Sequence, residues 1–153
     1  MNIRQSYREA SVRGASPVEL VIRLYEQTIE DLRQVAIAIE QNDIERRSNR
    51  IKHAILVIGH MQSSLDLEKG GKVSENLNRF YNTLRMNLLA IQFRPSKPLL
   101  NQQITDLLAV RAAWVEVERQ QRAADATATS AGRSPFAAGA GDADAPASMG
   151  WKG

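Results

Sequence analysis

Apolar residues recur every three or four positions in four successive stretches of this 153-residue chain. That spacing aligns them along one face of an amphipathic helix. Short segments rich in polar residues, glycine or proline separate the stretches, and none of the four alternates apolar and polar residues as a half-buried strand does. The pattern predicts an all-α protein, an antiparallel four-helix bundle that occupies residues 14–122.

Local signals set the helix boundaries. Ser16 is a good N-cap, and Pro17 follows at the first helical position, where its missing N–H costs nothing. Asp43 is the expected N-cap of the second helix, and the paired glycines Gly70 and Gly71 are the expected C-cap signal after it. The predicted helices span Pro17–Glu40, about Ile44–Leu65, about Val73–Phe93 and about Leu99–Arg122.

The two ends of the chain differ from the bundle in composition. Residues 1–13 form a short arm in which Ile3 and Tyr7, four apart, would share a face of one helical turn, with Val12 as a further apolar residue. A frayed terminus and a segment that docks reversibly in a groove explain this pattern equally well. Residues 123–153 are rich in Ala, Gly, Ser, Thr and Asp, which predicts a disordered tail.

Composition limits the compartment and the class of protein. The chain has no cysteine, no apolar signal-peptide core at its N-terminus and no apolar run of the ~20 residues that span a bilayer. We therefore expect a soluble protein of the cytosol, without membrane insertion. The net charge of +3 is mild, and the basic cluster Arg46, Arg47, Arg50 and Lys52 is more typical of a solvated helix face than of a phosphate-binding patch. A basic helical nucleic-acid-binding or adaptor module remains the alternative.

No catalytic motif emerges from the residue spacing. His53 and His60 lie seven apart on a similar face, but Glu68 is the only third ligand candidate, so structural histidines are favoured over a zinc site. Gly71-Lys72 lacks the remaining residues of a phosphate-binding loop. We expect no cofactor, no metal and no enzymatic activity, and a metal-dependent bundle enzyme ranks last among the alternatives.

The second predicted helix has apolar residues on more than one side. Leu56 and Val57 lie off the stripe that Ile51, Ile55 and Ile58 form. This pattern indicates either deep burial or a second contact surface.

Several short motifs occur along the chain in one order. They are Tyr7, Ala15-Ser16-Pro17, Leu24-Tyr25-Glu26, Leu65-Asp66-Leu67-Glu68-Lys69-Gly70-Gly71, Asn76-Leu77, Phe80-Tyr81 and Trp114. Together they resemble the FliS family of flagellar secretion chaperones over roughly residues 3–120. The chain departs from the family at Glu26-Gln27, where Asp-Gly is usual, at Lys72, where an acidic residue is common, and at the linker with Pro95 and Pro98.

The resemblance implies a cytoplasmic export chaperone that binds the disordered C-terminal segment of flagellin, prevents its premature polymerisation and assists its delivery to the flagellar type III export gate. In this family the arm tyrosine, here Tyr7, is implicated in contact with the export gate protein. Whether the free protein forms a weak homodimer is left open. The expected client-groove residues are Ile3, Tyr7, Val12, Leu56, Val57, Leu65, Asp66, Asn76, Leu77, Tyr81, Leu84 and Leu88.

Overall fold

The computed structural model describes the backbone of residues 16–131 and the side chains of residues 16–129. This part of the chain consists of four α-helices and the turns between them. The helices are α1 (Pro17–Glu40), α2 (Ile44–Ser63), α3 (Gly71–Phe93) and α4 (Lys97–Ala131). The all-α prediction and the number of helices are confirmed.

The two predicted N-caps form as expected. The Ser16 hydroxyl accepts a hydrogen bond from the backbone N–H of Glu19 at 3.2 Å, and the Asp43 carboxylate accepts one from the N–H of Arg46 at 3.0 Å. Between α1 and α2, Asn42 adopts a left-handed backbone with φ of 53°. Asparagine tolerates that conformation better than most residues, which permits the tight reversal.

The turn between α2 and α3 differs from its prediction. Because α2 ends at Ser63 with Ser64 as its C-cap, the paired glycines do not cap it. They open α3 instead, with Gly70 as N-cap and Gly71 at a φ of +57° that favours glycine. The intervening turn is closed by Asp66, whose carboxylate accepts from the N–H groups of Glu68 and Lys69 at 3.1 and 3.0 Å.

The fourth helix is longer than predicted. It begins at Lys97, where the Ser96 hydroxyl accepts from the N–H of Leu99 at 3.3 Å, and continues past Arg122 to Ala131. Residues 123–131, which were assigned to the tail, are therefore helical. Their high alanine content explains the extension, since alanine has the highest intrinsic helix propensity.

Polar contacts between helices show that neighbours run antiparallel. Two ion pairs join α1 and α4 in reversed order along the chain: Arg111 pairs with Glu26 at 3.2 Å and Arg122 with Glu19 at 3.6 Å. The amide of Asn87 on α3 donates to Gln103 on α4 at 3.1 Å. Since connections between successive helices are short, this ordering gives an antiparallel bundle.

The core is mostly aliphatic and comes from all four helices. Trp114, the largest of the buried side chains, is 2% exposed. Val57 is fully buried, although it lies off the predicted α2 stripe, whereas the apolar residues Val73, Leu108 and Val115 are exposed. Val73 is exposed because it lies in the first turn of α3. The buried set includes Val21, Leu24, Leu32, Val35, Ile51, Ile58, Met61, Leu84, Leu88, Ile91, Leu100 and Leu107.

Three residues that carried the family resemblance meet in the core. The hydroxyls of Tyr25 and Tyr81 lie 2.7 Å apart in a buried hydrogen bond, and Trp114 is hydrogen-bonded to Tyr25. Because the indole N–H is a donor only, it donates to the Tyr25 oxygen. This group, hereafter the tyrosine node, ties α1, α3 and α4 together at one point. Burial raises the pKa of Tyr25 to about 12 and raises that of Tyr81 further.

Candidate binding surface

Several large apolar side chains face solvent on α2 and α3. Met86, Leu89 and Phe93 of α3 are 70%, 54% and 91% exposed, and Leu56 of α2 is 63% exposed. We call these four residues the apolar strip. Scattered single apolar residues are normal on a surface, but several large exposed ones on neighbouring helices are typical of an interaction site.

The strip follows from a second periodicity in α3. Leu84, Leu88 and Ile91 point into the core, whereas Met86 and Phe93 lie two turns apart on another side of the helix. Leu89 lies between them at i+3, so the three form one outward stripe. The inward stripe of α3 packs on the bundle, and the outward stripe offers a second apolar surface.

Hydrogen bonds join α2 and α3 at two places along their length. Gln62 of α2 donates to Asn78 and Asn82 of α3 at 2.6 and 2.8 Å, and Arg85 donates to Gln62 in return. In the other direction along the helices, Arg47 of α2 donates to the backbone carbonyl of Gln92 at 3.4 Å.

In sequence, Leu56 lies between Arg47 and Gln62, and Met86 and Leu89 lie between Asn82 and Gln92, which Phe93 directly follows. The contact between α2 and α3 is therefore fixed before any partner arrives, which lowers the ordering cost of binding.

The structure divides the predicted groove residues into two groups. Leu56, Asp66 and Asn76 have solvent access, and Leu77 is partly buried against the core. The others within residues 16–131 belong to the buried core: Val57, Leu65, Tyr81, Leu84 and Leu88. Ile3, Tyr7 and Val12 lie outside the described residues. The partner-binding role of all twelve stays a prediction.

Sequence reasoning missed three of the four strip residues. Met86, Leu89 and Phe93 were not named as groove residues, because only the inward stripe of α3 was followed. The signal was present in the i, i+3, i+7 spacing of these three large apolar residues. These three residues lie on a different side of the helix from Leu84 and Leu88, and that difference would have identified the second face.

A buried carboxylate also escaped the sequence pattern. Asp31 falls off the apolar stripe of α1, yet it is fully buried. Its oxygens lie 2.5 Å from Nδ1 of His53 and 3.3 Å from a guanidinium nitrogen of Arg50, both on α2, and Gln27 donates to it at 3.4 Å. A buried charge requires such partners. The cluster joins α1 to α2, and one ring nitrogen of His53 is engaged by Asp31.

Three of the four cations in the basic cluster of α2 are engaged within the bundle, and Lys52 is exposed. Arg46 donates to Gln34 of α1, Arg47 to the Gln92 carbonyl and Arg50 to Asp31. A shallow depression of about 270 Å³ beside them is lined by groups of both signs: Asp43, Glu45, Arg46, Asn49 and Arg50. These contacts argue against a free phosphate-binding patch, which would present its cations to solvent.

Other chemistry is sparse in the described part of the chain. Between residues 16 and 129, no three His, Cys, Asp or Glu side chains are grouped to hold a metal ion. None of the four described helices has the length and hydropathy to cross a bilayer.

An all-helical bundle with a solvent-facing apolar strip is the architecture of a helical binding module. Comparison with known proteins specifies it further: the family described as flagellar protein FliS matches residues 1–121. The chain therefore belongs to the FliS family of flagellar secretion chaperones.

Individual relatives agree with this assignment. The chain is 32% identical to the flagellar secretion chaperone FliSB of Pseudomonas aeruginosa, over 69% of this chain and 84% of that protein. It is 29% identical to the flagellar secretion chaperone FliS of Campylobacter jejuni, over 78% of this chain and 93% of the relative. With the FliS of Vibrio cholerae it shares 26% identity, over 74% of this chain and 86% of the relative.

Proposed function

We propose that this chain is a cytosolic export chaperone that binds the C-terminal segment of flagellin, keeps it from polymerising and hands it to the flagellar type III export gate. Family membership supports the class of activity. The apolar strip is the single observation that supports a binding surface for an unfolded client. An amphipathic segment that folds into a helix on such a surface buries its own apolar face at the same time.

The strip supplies anchors of the type that dominate binding energy. Phe93 and Met86 are among the residue types enriched in the buried centres of interfaces. Covering one such side chain contributes about 1.5–3 kcal/mol of apolar transfer free energy. The client must order itself on binding, which offsets part of that gain and keeps the complex reversible. Reversibility suits a chaperone that releases its client to the export gate.

Calorimetry with a peptide of the flagellin C-terminal segment tests this proposal. We expect a dissociation constant on the order of micromolar. Phe93→Ser and Met86→Ser should each weaken binding at least about tenfold, because each removes an apolar anchor. Ile37→Ser on α1 is the matched control, since Ile37 is also exposed but lies on a different helix. Absence of binding at tens of micromolar peptide (about −6 kcal/mol) would overturn the proposal.

The arm gives the proposal a second test. We propose that Ile3 and Tyr7 cover part of the client surface in the free protein and are displaced by the client. Deletion of residues 1–13 should then strengthen peptide binding, because the client no longer competes with the arm. Unchanged or weaker binding would assign the arm another role. Tyr7→Ala should impair delivery to the export gate while leaving the thermal stability of the bundle unchanged.

A further inference from the structure

Charge is divided unevenly between the two halves of the bundle. α2 carries four arginine or lysine residues against one glutamate, and α3 carries three against one. In contrast, α1 carries five carboxylates against two arginines, and α4 carries four of each sign. The apolar strip therefore lies on the basic half of the molecule.

Three cations beside the strip are free to meet a partner. Lys52 lies one turn before Leu56, Arg79 lies two turns before Met86, and Arg94 directly follows Phe93. All three side chains are exposed, and none makes an ion pair or hydrogen bond with another described residue. They differ in this respect from Arg46, Arg47, Arg50 and Arg85 of the same two helices, whose guanidinium groups are engaged.

The acidic residues of these helices lie away from the strip. Glu45 is in the first turn of α2, about three turns before Leu56, and Glu75 is about three turns before Met86. The rim nearest the apolar side chains is accordingly positive.

We propose that the apolar strip selects an amphipathic helix whose apolar face is flanked by Asp or Glu, positioned to meet Lys52, Arg79 and Arg94. This inference rests on the proposed function and specifies the chemistry of the client segment. The apolar contacts provide most of the affinity, while the charges steer the encounter, fix the register and reject basic helices. A second copy of this chain would bring the same three cations against themselves, which disfavours that occupant.

Two synthetic peptides of equal length test the inference on the full-length protein. They share one apolar helix face and differ only in carrying Glu or Lys at the flanking positions. At about 50 mM NaCl we expect the Glu-flanked peptide to bind about tenfold more tightly, and at about 500 mM the difference should shrink, because salt screens exposed charges. Equal affinities at low salt, or a preference for the Lys-flanked peptide, would overturn the inference.

Charge reversal on the protein side provides the matched comparison. The double variant Lys52→Glu/Arg79→Glu should lose the preference for the Glu-flanked peptide and gain affinity for the Lys-flanked one. Arg23→Glu, an exposed reversal on α1, should leave both affinities within about twofold. Circular dichroism checks that every variant is folded. If the double variant retains the original preference, the three cations do not select the partner.

Two further measurements separate this inference from neighbouring ideas. If the protein binds the flagellin peptide but does not distinguish the Glu-flanked from the Lys-flanked peptide, the proposed function stands and the inference is rejected. If the protein prefers the Glu-flanked peptide but does not bind the flagellin peptide, the inference stands and the proposed function is rejected. A single-stranded oligonucleotide that binds more tightly than the Glu-flanked peptide, with affinity falling steeply in salt, would overturn the inference in favour of nucleic acid.

Discussion

Tyr25 is the centre of the tyrosine node, because its hydroxyl serves two partners. It shares a hydrogen bond with Tyr81 and accepts one from Trp114. Each of these side chains is at most 2% exposed, so a lost partner is not replaced by bulk water. The node therefore specifies how α1, α3 and α4 meet more strictly than aliphatic packing does.

Removing the central hydroxyl should cost more than removing a peripheral one. Tyr25→Phe leaves both the Trp114 N–H and the Tyr81 hydroxyl without a partner, whereas Tyr81→Phe leaves only the Tyr25 O–H unpaired as a donor. Each buried group left unsatisfied costs about 1–3 kcal/mol, so Tyr25→Phe should destabilise the bundle more. Urea unfolding of both variants measures the order. Equal losses of unfolding free energy would show that the Trp114 N–H does not depend on Tyr25 for its hydrogen bond.

The same two tyrosines predict a loss of stability at alkaline pH. Burial raises the pKa of Tyr25 to about 12 and raises that of Tyr81 as well, whereas a tyrosine in the unfolded chain titrates near ~10. Above pH ~10 the native state therefore binds more protons than the unfolded state, and the free energy of unfolding falls as pH rises. Below pH ~10 this stability is fully present.

The slope of the free energy of unfolding against pH separates the tyrosines from other groups that titrate at alkaline pH. Each buried tyrosine contributes a decrease of about 1.4 kcal/mol per pH unit above pH ~10. The double variant Tyr25→Phe/Tyr81→Phe should show a shallower decline between pH ~9 and ~11 when urea unfolding is followed. Parallel declines in the wild type and the variant would contradict the assignment.

At the scale of helices, the apolar pattern and the caps predicted α1 well. Its span agrees at both ends, since Ser16, Pro17 and Asp43 act locally and need no tertiary information. Predictions that depended on tertiary contacts fared worse. Periodicity alone favours a surface position for Asp31, because it takes account only of polarity, whereas Arg50 and His53 on another helix make its burial tolerable.

The candidate surface was less predictable than the core for a physical reason. A helix with two apolar stripes does not indicate which one faces the bundle, and the stripe with more aliphatic residues dominates the pattern. On α2 the sequence correctly marked Leu56 as off the core face but placed Val57 with it. On α3 the outward stripe of Met86, Leu89 and Phe93 became visible only from the packing.

The end of α4 provides a test of where the folded unit stops. Arg122 pairs with Glu19 in the first turn of α1, so residues 123–131 continue beyond the start of α1. The side chains of residues 123–129 are all exposed. A chain ending at Arg122 should therefore keep its free energy of unfolding within about 0.5 kcal/mol while losing helical circular dichroism signal. A larger loss of stability would extend the folded unit past Arg122.

At the scale of the whole molecule, the separation of charge bears on self-association. An exposed apolar strip is a site at which two copies can pair, and the free protein was left open to weak dimerisation. In a symmetric pair the same patch meets itself, so Lys52, Arg79 and Arg94 of one copy would approach those of the other. Like-charge contact opposes this pairing, and added salt weakens the opposition.

Salt should therefore act in opposite directions on the two uses of the strip. Self-association, followed by sedimentation equilibrium, should be weak at about 50 mM NaCl and stronger at about 500 mM, while binding of an acid-flanked helix weakens over the same range. Phe93→Glu should abolish the salt-induced dimer by placing a charge in its apolar centre, whereas Ile37→Ser on α1 should not.

A dimer that dissociates as salt is added would instead be held by opposite charges. The contact would then join the acidic α1 side of one copy to the basic α2–α3 side of another. Such a head-to-tail contact would leave one strip open at the end of each assembly, so the number of flagellin peptides bound per protomer distinguishes the two arrangements.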